Sequence, residues 1–252
     1  MSPVVKKRLD QLLVERGLAP TRQKAQAMIM AGNVLVNDHP ADKAGSQVPV
    51  NAAIITRDAC PYASRGGLKL EGGLDAFHLD VSGMVCLDVG ASTGGFTDCL
   101  LARGARRVFA VDVGYGQLAW KLRQDPRVVV IERTNIRHMA ADALPCPVDL
   151  VTIDASFISL KIVMPAVIGF MKPEAVILAL IKPQFEVGKG QVGKGGVVRD
   201  PDQHRAVIDD LSRWAKTQGL WCAEAVVSPI TGPKGNVEFF NLFGLDFSKN
   251  TR

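Results

Sequence analysis

Five short apolar runs, each separated from the next by a segment that can hold a helix, constrain the fold of this chain most. The runs are rich in Val and Ile and lie at residues 84–89, 107–113, 128–132, 148–154 and 175–181. Such runs are typical of strands that are buried on both faces of a parallel sheet. Residues 201–218 are predicted to form a further helix, and residues 220–227 and 237–245 to add two strands as a hairpin at one edge. The pattern predicts an α/β, Rossmann-like fold with a mostly parallel seven-stranded sheet, which binds its ligands at the carboxyl ends of the strands.

The first 67 residues form a basic segment that precedes this sheet. They contain nine Lys or Arg and five Asp or Glu, a charge of +4, whereas the whole chain carries +5. Apolar residues recur at helical spacing in 9–13, Thr21 can cap a second helix that Gly32 stops, and short strands are predicted at 34–37 and 48–56. A small basic α+β head on a nearly neutral body indicates a polyanion-binding module, although charge alone is equally consistent with a solvated surface.

The head resembles a known RNA-binding module. The pattern from Arg8-Leu9-Asp10 to Gly32-x-Val34-x-Val36-Asn37 is similar to the S-four module, named for a small-subunit ribosomal protein. The resemblance implies docking on structured RNA through backbone and shape rather than base sequence. Arg22 and Lys24 fall in the first turn of the second helix, where unpaired N–H groups would help to hold a phosphate. The candidate RNA-binding cations are Lys6, Lys7, Arg8, Arg22, Lys24, Arg65 and Lys189.

Composition excludes several other classes of protein. The longest apolar run, residues 175–181, is too short to cross a bilayer, which needs about 20 residues. Polar residues interrupt the stretch that would have to follow the N-terminal lysines of a signal peptide. The five cysteines and four histidines are scattered, so neither a disulfide framework nor a local metal site is expected. We expect a soluble, cytoplasmic protein with no membrane contact, no metal and no obligate protein partner.

A glycine-rich segment follows the first strand of the predicted sheet. Residues 88–96 read DVGASTGGF, a glycine spacing that fits neither the dinucleotide fingerprint nor a P-loop. Asp112 ends the second strand, where a carboxylate could bind both hydroxyls of a ribose. A glycine turn between two strand-end acids resembles the S-adenosylmethionine site of Rossmann-like methyltransferases. The resemblance implies that cofactor, with contacts from Asp88, Gly90, Ser92, Gly94, Gly95, Phe96, Asp112 and Asp154.

Residues 188–195 imitate a phosphate-binding loop. They read GKGQVGKG, which matches a P-loop until Gly195, where Ser or Thr is required for the metal. The segment also follows the fifth strand rather than the first. It is interpreted as a flexible basic loop near the rim of the active site, and a kinase or NTPase is disfavoured.

Four charged residues are the candidates for catalysis. Asp154 and Lys182 end the fourth and fifth strands, so both should point into the cofactor crevice. An ordinary ion pair at the sheet rim would explain these two alone. Lys69 opens the larger domain, and Glu238 lies between Val and Phe on a late strand, where a buried carboxylate requires a charged partner. The four groups together favour a catalytic role.

The order Lys69, Asp154, Lys182, Glu238 resembles the Lys-Asp-Lys-Glu tetrad of the FtsJ-type ribose 2′-O-methyltransferases. Together with the head, the chain resembles the TlyA family over nearly its whole length, especially in SRGGLKL (64–70), DASFISL (154–160) and IKPQFE (181–186). TlyA-type proteins are rRNA cytidine 2′-O-methyltransferases, also labelled haemolysins. The resemblance therefore implies methylation of cytidine in small- or large-subunit ribosomal RNA, with ribosomal RNA or subunits as the partner. By the same resemblance, Asn135 lies where the FtsJ family places a carboxylate toward the adenine.

The chemistry expected of such a site assigns a role to each member of the tetrad. A ribose hydroxyl is a poor nucleophile, and a lysine whose ammonium form is destabilised by burial and a second cation could accept its proton. Lys182 is predicted to be that base or a hydroxyl-orienting group, and Lys69 to be the second cation. Asp154 and Glu238 are predicted to position the lysines.

The predicted domains are an S-four-like RNA-binding domain at 1–59, a linker at 60–64 and an FtsJ-type methyltransferase domain at 65–252. Two alternatives to the enzyme stay open at this point. One is a membrane-active haemolysin, and the other is a non-catalytic RNA-binding factor for ribosome assembly.

Overall fold

The computed structural model describes residues 5–30, 32–37, 39–56, 60–140, 142–188, 190–193, 195–232 and 234–246. It divides into two compact units, Met1–Pro61 and Tyr62–Arg252. The limits predicted for the functional domains, 1–59 and 65–252, stay a prediction.

The described residues of the first unit form two helices and five short strands. They are β1 (Lys6–Arg8), α1 (Leu9–Glu15), α2 (Arg22–Met30), β2 (Val34–Val36), β3 (His39–Pro40), β4 (Gln47–Pro49) and β5 (Ile54–Thr56). β1 pairs antiparallel with β4, and β2 lies between β3 and β5. The fully buried Leu9, Leu13 and Ile29 join the two helices in one core. As the sequence predicts, Thr21 caps α2, its Oγ1 accepting a hydrogen bond from the Lys24 backbone N–H at 3.1 Å. The sequence does not reveal β1, because its three residues are all charged.

The second unit is built around one large sheet. Its strands are β6 (Val85–Val89), β7 (Arg107–Val111), β8 (Val128–Ile131), β9 (Val148–Ile153), β10 (Met171–Ile181), β11 (Leu220–Cys222), β12 (Val226–Val227) and β13 (Phe239–Leu245). The order across the sheet is β11-β13-β10-β9-β6-β7-β8, and β12 pairs with β13. The five strands from β6 to β10 are parallel, whereas β13 is antiparallel to its neighbours.

The predicted Rossmann-like α/β class is confirmed, with two differences. Seven strands lie along the sheet, but the tail contributes an eighth, because the predicted strand 220–227 is interrupted at 223–225. β10 begins at Met171 rather than at 175, and a register shift against β9 separates Met171 from Val176.

Helices cover both faces of the sheet. They are α3 (Gly66–Ala76), α4 (Gly95–Ala102), α5 (Trp120–Arg123), α6 (Leu160–Ile168), α7 (Pro183–Glu186) and α8 (Pro201–Thr217). One face packs on α6 and α8 through residues such as Val163 and Leu211, and the other packs on α3 and α4 through Leu70 and Leu100. With both faces covered, the carboxyl edge of β6, β7, β9 and β10 is left as the place where loops can form a site.

Candidate active site

Three neighbouring cavities lie along the carboxyl edge of the sheet, and Asp154 lines all of them. The glycine-loop cavity, about 220 Å³, is lined by residues 90–93 and by Arg65. The Asp112 cavity, about 510 Å³, includes Asn135 and Ile136. The lysine cavity, about 520 Å³, is lined by Lys69, Lys182 and Glu238 among others. Asp154 therefore borders all three cavities, each of which can hold part of a ligand.

The glycine loop needs glycine at particular positions. Gly90 has a φ of +84°, and a Cβ there would lie 2.7 Å from the carbonyl oxygen of Asp154. A Cβ on Gly95 would lie 2.3 Å from Ser64 Oγ. The loop thus brings its backbone against the residues that line the cavities, which leaves space for a ligand but not for additional side chains.

The Asp112 cavity presents a carboxylate, an amide and apolar walls. Asp112 Oδ2 accepts a hydrogen bond from the Ser92 N–H at 2.8 Å, and Oδ1 accepts one from the Gly114 N–H at 2.6 Å. Each oxygen keeps a lone pair for a ligand hydroxyl. Asn135 Oδ1 accepts from the Arg137 N–H at 3.1 Å, which leaves the amide nitrogen of Asn135 as a donor. The cavity can hold a diol and a flat ring.

Asp88 and Gly94 are not among the lining residues of the three cavities, and the cofactor contacts predicted for them stay a prediction. Asp88 is fully buried, where its carboxylate accepts hydrogen bonds from Thr97 Oγ1 at 2.7 Å and Thr152 Oγ1 at 3.2 Å. Burial raises the pKa of Asp88 to about 7; the two hydroxyl donors oppose the shift, and the charge of Asp154 adds to it. Gly94 has a φ of +94° and packs against Leu122. Both residues contact the interior of the protein and so support the glycine loop from beneath.

The four candidate catalytic residues form two ion pairs, and the Asp154 side chain is the most exposed of the four at 23%. Lys69 Nζ lies 2.6 Å from Glu238 Oε2, and Lys182 Nζ lies 2.6 Å from Asp154 Oδ1. The two lysines are 8% and 9% exposed and Glu238 is 1% exposed, so bulk water screens these charges little. The register of the sheet explains the assembly: Ile181 of β10 pairs with Phe239 of β13, which places Lys182 and Glu238 side by side.

Two residues at this site carry no role predicted from the sequence. Lys182 Nζ donates a hydrogen bond to Ser156 Oγ at 2.8 Å. Gly232 packs on the tetrad, since a Cβ there would lie 2.4 Å from Glu238 Oε1. Ser156 lies in the DASFISL phrase, which is a local signal, whereas only the three-dimensional structure brings Gly232 to Glu238.

Two of the five predicted RNA-binding cations of the first unit, Arg8 and Arg22, are arranged around a carboxylate. Asp10, which is fully buried, accepts hydrogen bonds from Arg8 Nε and Nη2 at 3.0 and 2.9 Å and from Arg22 Nε at 2.9 Å. The Arg8 guanidinium holds the pKa of Asp10 well below its usual range. Arg22 is thus oriented by Asp10 as well as by its place in α2. Lys7 pairs with Glu15 at 2.8 Å.

The other predicted cations are dispersed. Lys6 and Lys24 are exposed. Arg65 lies in the second unit, where its Nη2 donates to the Thr231 carbonyl at 3.3 Å beside the glycine-loop cavity. Lys189 falls outside the described residues.

Comparison with known families shows which family the chain belongs to. The family model for an FtsJ-like methyltransferase matches residues 62–245, and the S4 domain model matches residues 7–54. The chain belongs to the FtsJ-like methyltransferase family.

Relatives of this FtsJ-like methyltransferase are similar over most of its length. It is 51% identical to the 16S/23S rRNA (cytidine-2′-O)-methyltransferase TlyA of Mycobacterium tuberculosis over 235 residues, 92% of this chain and 88% of that protein. It is 35% identical to the 23S rRNA (cytidine-2′-O)-methyltransferase TlyA of Campylobacter jejuni over 180 residues, 71% of this chain and 69% of that protein. A hemolysin-named protein of solved structure from Streptococcus thermophilus matches with a TM-score of 0.75 and 38% identity, covering 99% of this chain and 93% of that one. The resemblances to the S-four module, the FtsJ-type enzymes and the TlyA family are confirmed.

Two further features of the described residues bear on the alternatives. Across them, no helix of the FtsJ-like methyltransferase is long and apolar enough to span a membrane. The same residues contain no group of three or more His, Cys, Asp or Glu placed to hold a metal ion.

Proposed function

We propose that this methyltransferase transfers the methyl group of S-adenosylmethionine to the ribose 2′-hydroxyl of a cytidine in ribosomal RNA. One observation carries the proposal: two ion pairs, the buried Lys69–Glu238 and the partly buried Lys182–Asp154, lie where the cavities meet. A site for transfer between two ligands requires the reacting groups of both to meet at one place. The names of the M. tuberculosis and C. jejuni relatives support cytidine in ribosomal RNA as the acceptor.

The residues present fit S-adenosylmethionine. Asp112 would accept the two ribose hydroxyls, and the apolar Ile136 would pack on the adenine beside Asn135, whose free amide nitrogen can donate to a ring nitrogen. Gly90 and Gly95 would admit the methionine portion along the glycine-loop cavity. When bound, the cofactor supplies an electrophilic methyl group on a sulfonium.

Lys182 would serve the acceptor. Its Nζ in the amine form would take the proton of the 2′-hydroxyl as the hydroxyl oxygen forms its bond to the methyl carbon. A bound cofactor would supply that methyl group and keep the electron pair of its carbon–sulfur bond, so the transfer balances without a further reactant. Lys182 then releases its proton to water. Asp154 and Glu238 would hold Lys182 and Lys69 and balance their charge, so most of the acceleration would come from alignment.

The first unit would dock the substrate. Arg8, Arg22 and the exposed Lys6 and Lys24 provide donors for phosphates, and Asp10 fixes the two guanidinium groups before RNA arrives. Ordering these arginines in advance lowers the conformational entropy lost on binding. The S4 domain match supports RNA as the ligand of this unit.

The test uses ribosomal subunits from a strain that lacks the gene for this chain. Wild-type protein with labelled S-adenosylmethionine should produce 2′-O-methylcytidine, identified by nucleoside mass spectrometry in small- and large-subunit RNA separately. Lys182→Ala should reduce the rate at least 100-fold, within the range of lost general-base catalysis, while cofactor affinity measured by calorimetry stays within about twofold.

Lys161→Ala is the matched control. Lys161 is an ion-paired lysine on α6 that contacts Asp210 rather than a cavity, so this variant should keep the wild-type rate. Full activity in Lys182→Ala would refute Lys182 as the base. Cofactor binding without methyl transfer by the wild-type protein to either subunit would instead favour a non-catalytic assembly factor.

A further inference from the structure

Lys182 has two oxygen neighbours within the protein, and only one of them belongs to the tetrad. Asp154 Oδ1 lies 2.6 Å from Nζ, and Ser156 Oγ accepts a hydrogen bond from Nζ at 2.8 Å. In the part of the chain that the structure describes, no third acceptor approaches this nitrogen. Ser156 lines both the lysine cavity and the Asp112 cavity. The serine therefore lies at the boundary between the two spaces that the proposed reaction has to connect.

The contact between Lys182 and Ser156 matters because of the stereochemistry of an amine. The nitrogen of a lysine amine is tetrahedral, with one bond to Cε, two N–H bonds and one lone pair. Ser156 Oγ accepts a hydrogen bond from one of these N–H groups, whereas the 2.6 Å contact with Asp154 Oδ1 is an ion pair without hydrogen-bond geometry. The ion pair alone would leave Nζ free to rotate about the Cε–Nζ bond, and the hydrogen bond to Ser156 restricts that rotation. With one N–H held by Ser156, the lone pair can be directed at a hydroxyl in the lysine cavity.

The turn that presents Ser156 is itself held in an unusual conformation. Phe157, the next residue, has a φ of +64°, a region that bulky side chains avoid because it is strained. The Phe157 ring packs against Phe185 of α7, with centroids 4.8 Å apart, although the Phe157 side chain is largely exposed. This contact joins the turn after β9 to the helix that follows Lys182. The segments that carry the serine and the lysine are therefore linked by this ring contact as well as by the hydrogen bond between the two residues.

We propose that Ser156 is a positioning residue for the reaction, which fixes the rotation of the Lys182 amino group so that its lone pair is directed at the acceptor hydroxyl. The proposal rests on the proposed function, because it assigns a role through Lys182. It predicts that Ser156 contributes to the rate of methyl transfer from the bound state and not to the binding of either ligand.

The experiment compares Ser156→Ala and Ser156→Thr with wild-type protein on the subunit that the wild type methylates. Ser156→Ala should reduce kcat about tenfold, the effect of losing one hydrogen bond of about 1.4 kcal/mol. Its KM for the subunit and its affinity for S-adenosylmethionine should stay within twofold of wild type. Ser156→Thr should restore at least half of kcat, because the hydroxyl is retained and this exposed position has space for a methyl group.

A matched control and three outcomes separate this proposal from its competitors. Ser82→Ala changes a serine in the turn before β6, away from the cavities, and should behave as wild type. Unchanged kcat in Ser156→Ala would overturn the positioning role, as would a loss confined to cofactor affinity, which would make Ser156 a cofactor ligand. Failure of Ser156→Thr to recover would also overturn it. Absence of any 2′-O-methylation by wild-type protein would refute the proposed function itself, a result distinct from these three.

Discussion

The buried carboxylate beneath the glycine loop makes stability depend on pH in an unusual direction. Asp88 is fully buried, and burial raises its pKa from 3.8 to about 7. Between these two values the folded protein binds a proton at Asp88 that the unfolded chain has released. The contribution of Asp88 to the free energy of unfolding must therefore fall as the pH rises through this window, and it levels off above about pH 7. With 1.36 kcal/mol for each pKa unit, the loss between pH 5 and pH 8 is about 2 to 3 kcal/mol.

The variant that tests this is Asp88→Asn, which keeps the shape and one acceptor for Thr97 but cannot titrate. The free energy of unfolding of Asp88→Asn should not show this loss. The difference between the free energies of unfolding of wild type and variant should therefore fall by about 2 to 3 kcal/mol from pH 5 to pH 8. Urea unfolding at four pH values, followed by tryptophan fluorescence, measures this difference. All three tryptophans, Trp120, Trp214 and Trp221, belong to the second unit, so the signal reports the unit that contains Asp88.

An exposed aspartate provides the comparison for the buried one. Asp209→Asn alters an exposed residue of α8 and should reproduce the wild-type pH dependence. A difference between wild type and Asp88→Asn that is constant with pH within about 0.5 kcal/mol, or that grows with pH, would refute the assignment of the raised pKa to burial of Asp88.

Two further predictions concern the ligand surfaces. Gly90→Ala places a Cβ 2.7 Å from the Asp154 carbonyl oxygen at a φ of +84°, so calorimetry should show at least tenfold weaker binding of S-adenosylmethionine; wild-type affinity would mean that the loop rearranges without cost. Asp10→Asn removes the charge that Arg8 and Arg22 share, and the first unit should lose about 1 to 3 kcal/mol of stability together with affinity for ribosomal subunits. Hydrogen exchange of amides in residues 5–56 measures this stability, and unchanged protection would contradict a structural role for the carboxylate.

The sequence predicts the second unit well because its strands are buried on both faces. Composition and length alone locate β6 to β9 to within two residues at each end. The three-residue β1 escapes because a run that short has no periodicity, and the interruption at 223–225 that separates β11 from β12 escapes as well. The early start of β10 also escapes, because Lys172, Pro173 and Glu174 do not resemble a buried strand.

The sequence likewise predicts some residues of the candidate site and misses others. Asp154, Lys182 and Glu238 are predictable because a charge beside apolar strand residues is costly without a partner, whereas Lys69 lies on α3 and is indicated by the family resemblance. Asp88 carries the same signal but lies beneath the loop instead of in a cavity. The direction of a strand-end side chain depends on the pleat and on the turn that follows, which a single sequence does not specify. The link between Asp10 and Arg22 requires α1 and α2 to be packed together, so it too becomes visible only in three dimensions.

The place of β13 in the sheet has a consequence for the order of events during folding. This strand follows all the others of the sheet in sequence, yet it lies between β10 and β11 rather than at the edge. The Lys69–Glu238 pair joins residues 169 positions apart, and closing so large a loop is a slow step in a folding reaction. A partly folded chain can therefore contain a complete glycine loop while the two ion pairs proposed for catalysis still lack Glu238. Recovery of activity after dilution from urea should lag behind recovery of cofactor binding, and the enzyme remains inactive until that late strand has inserted.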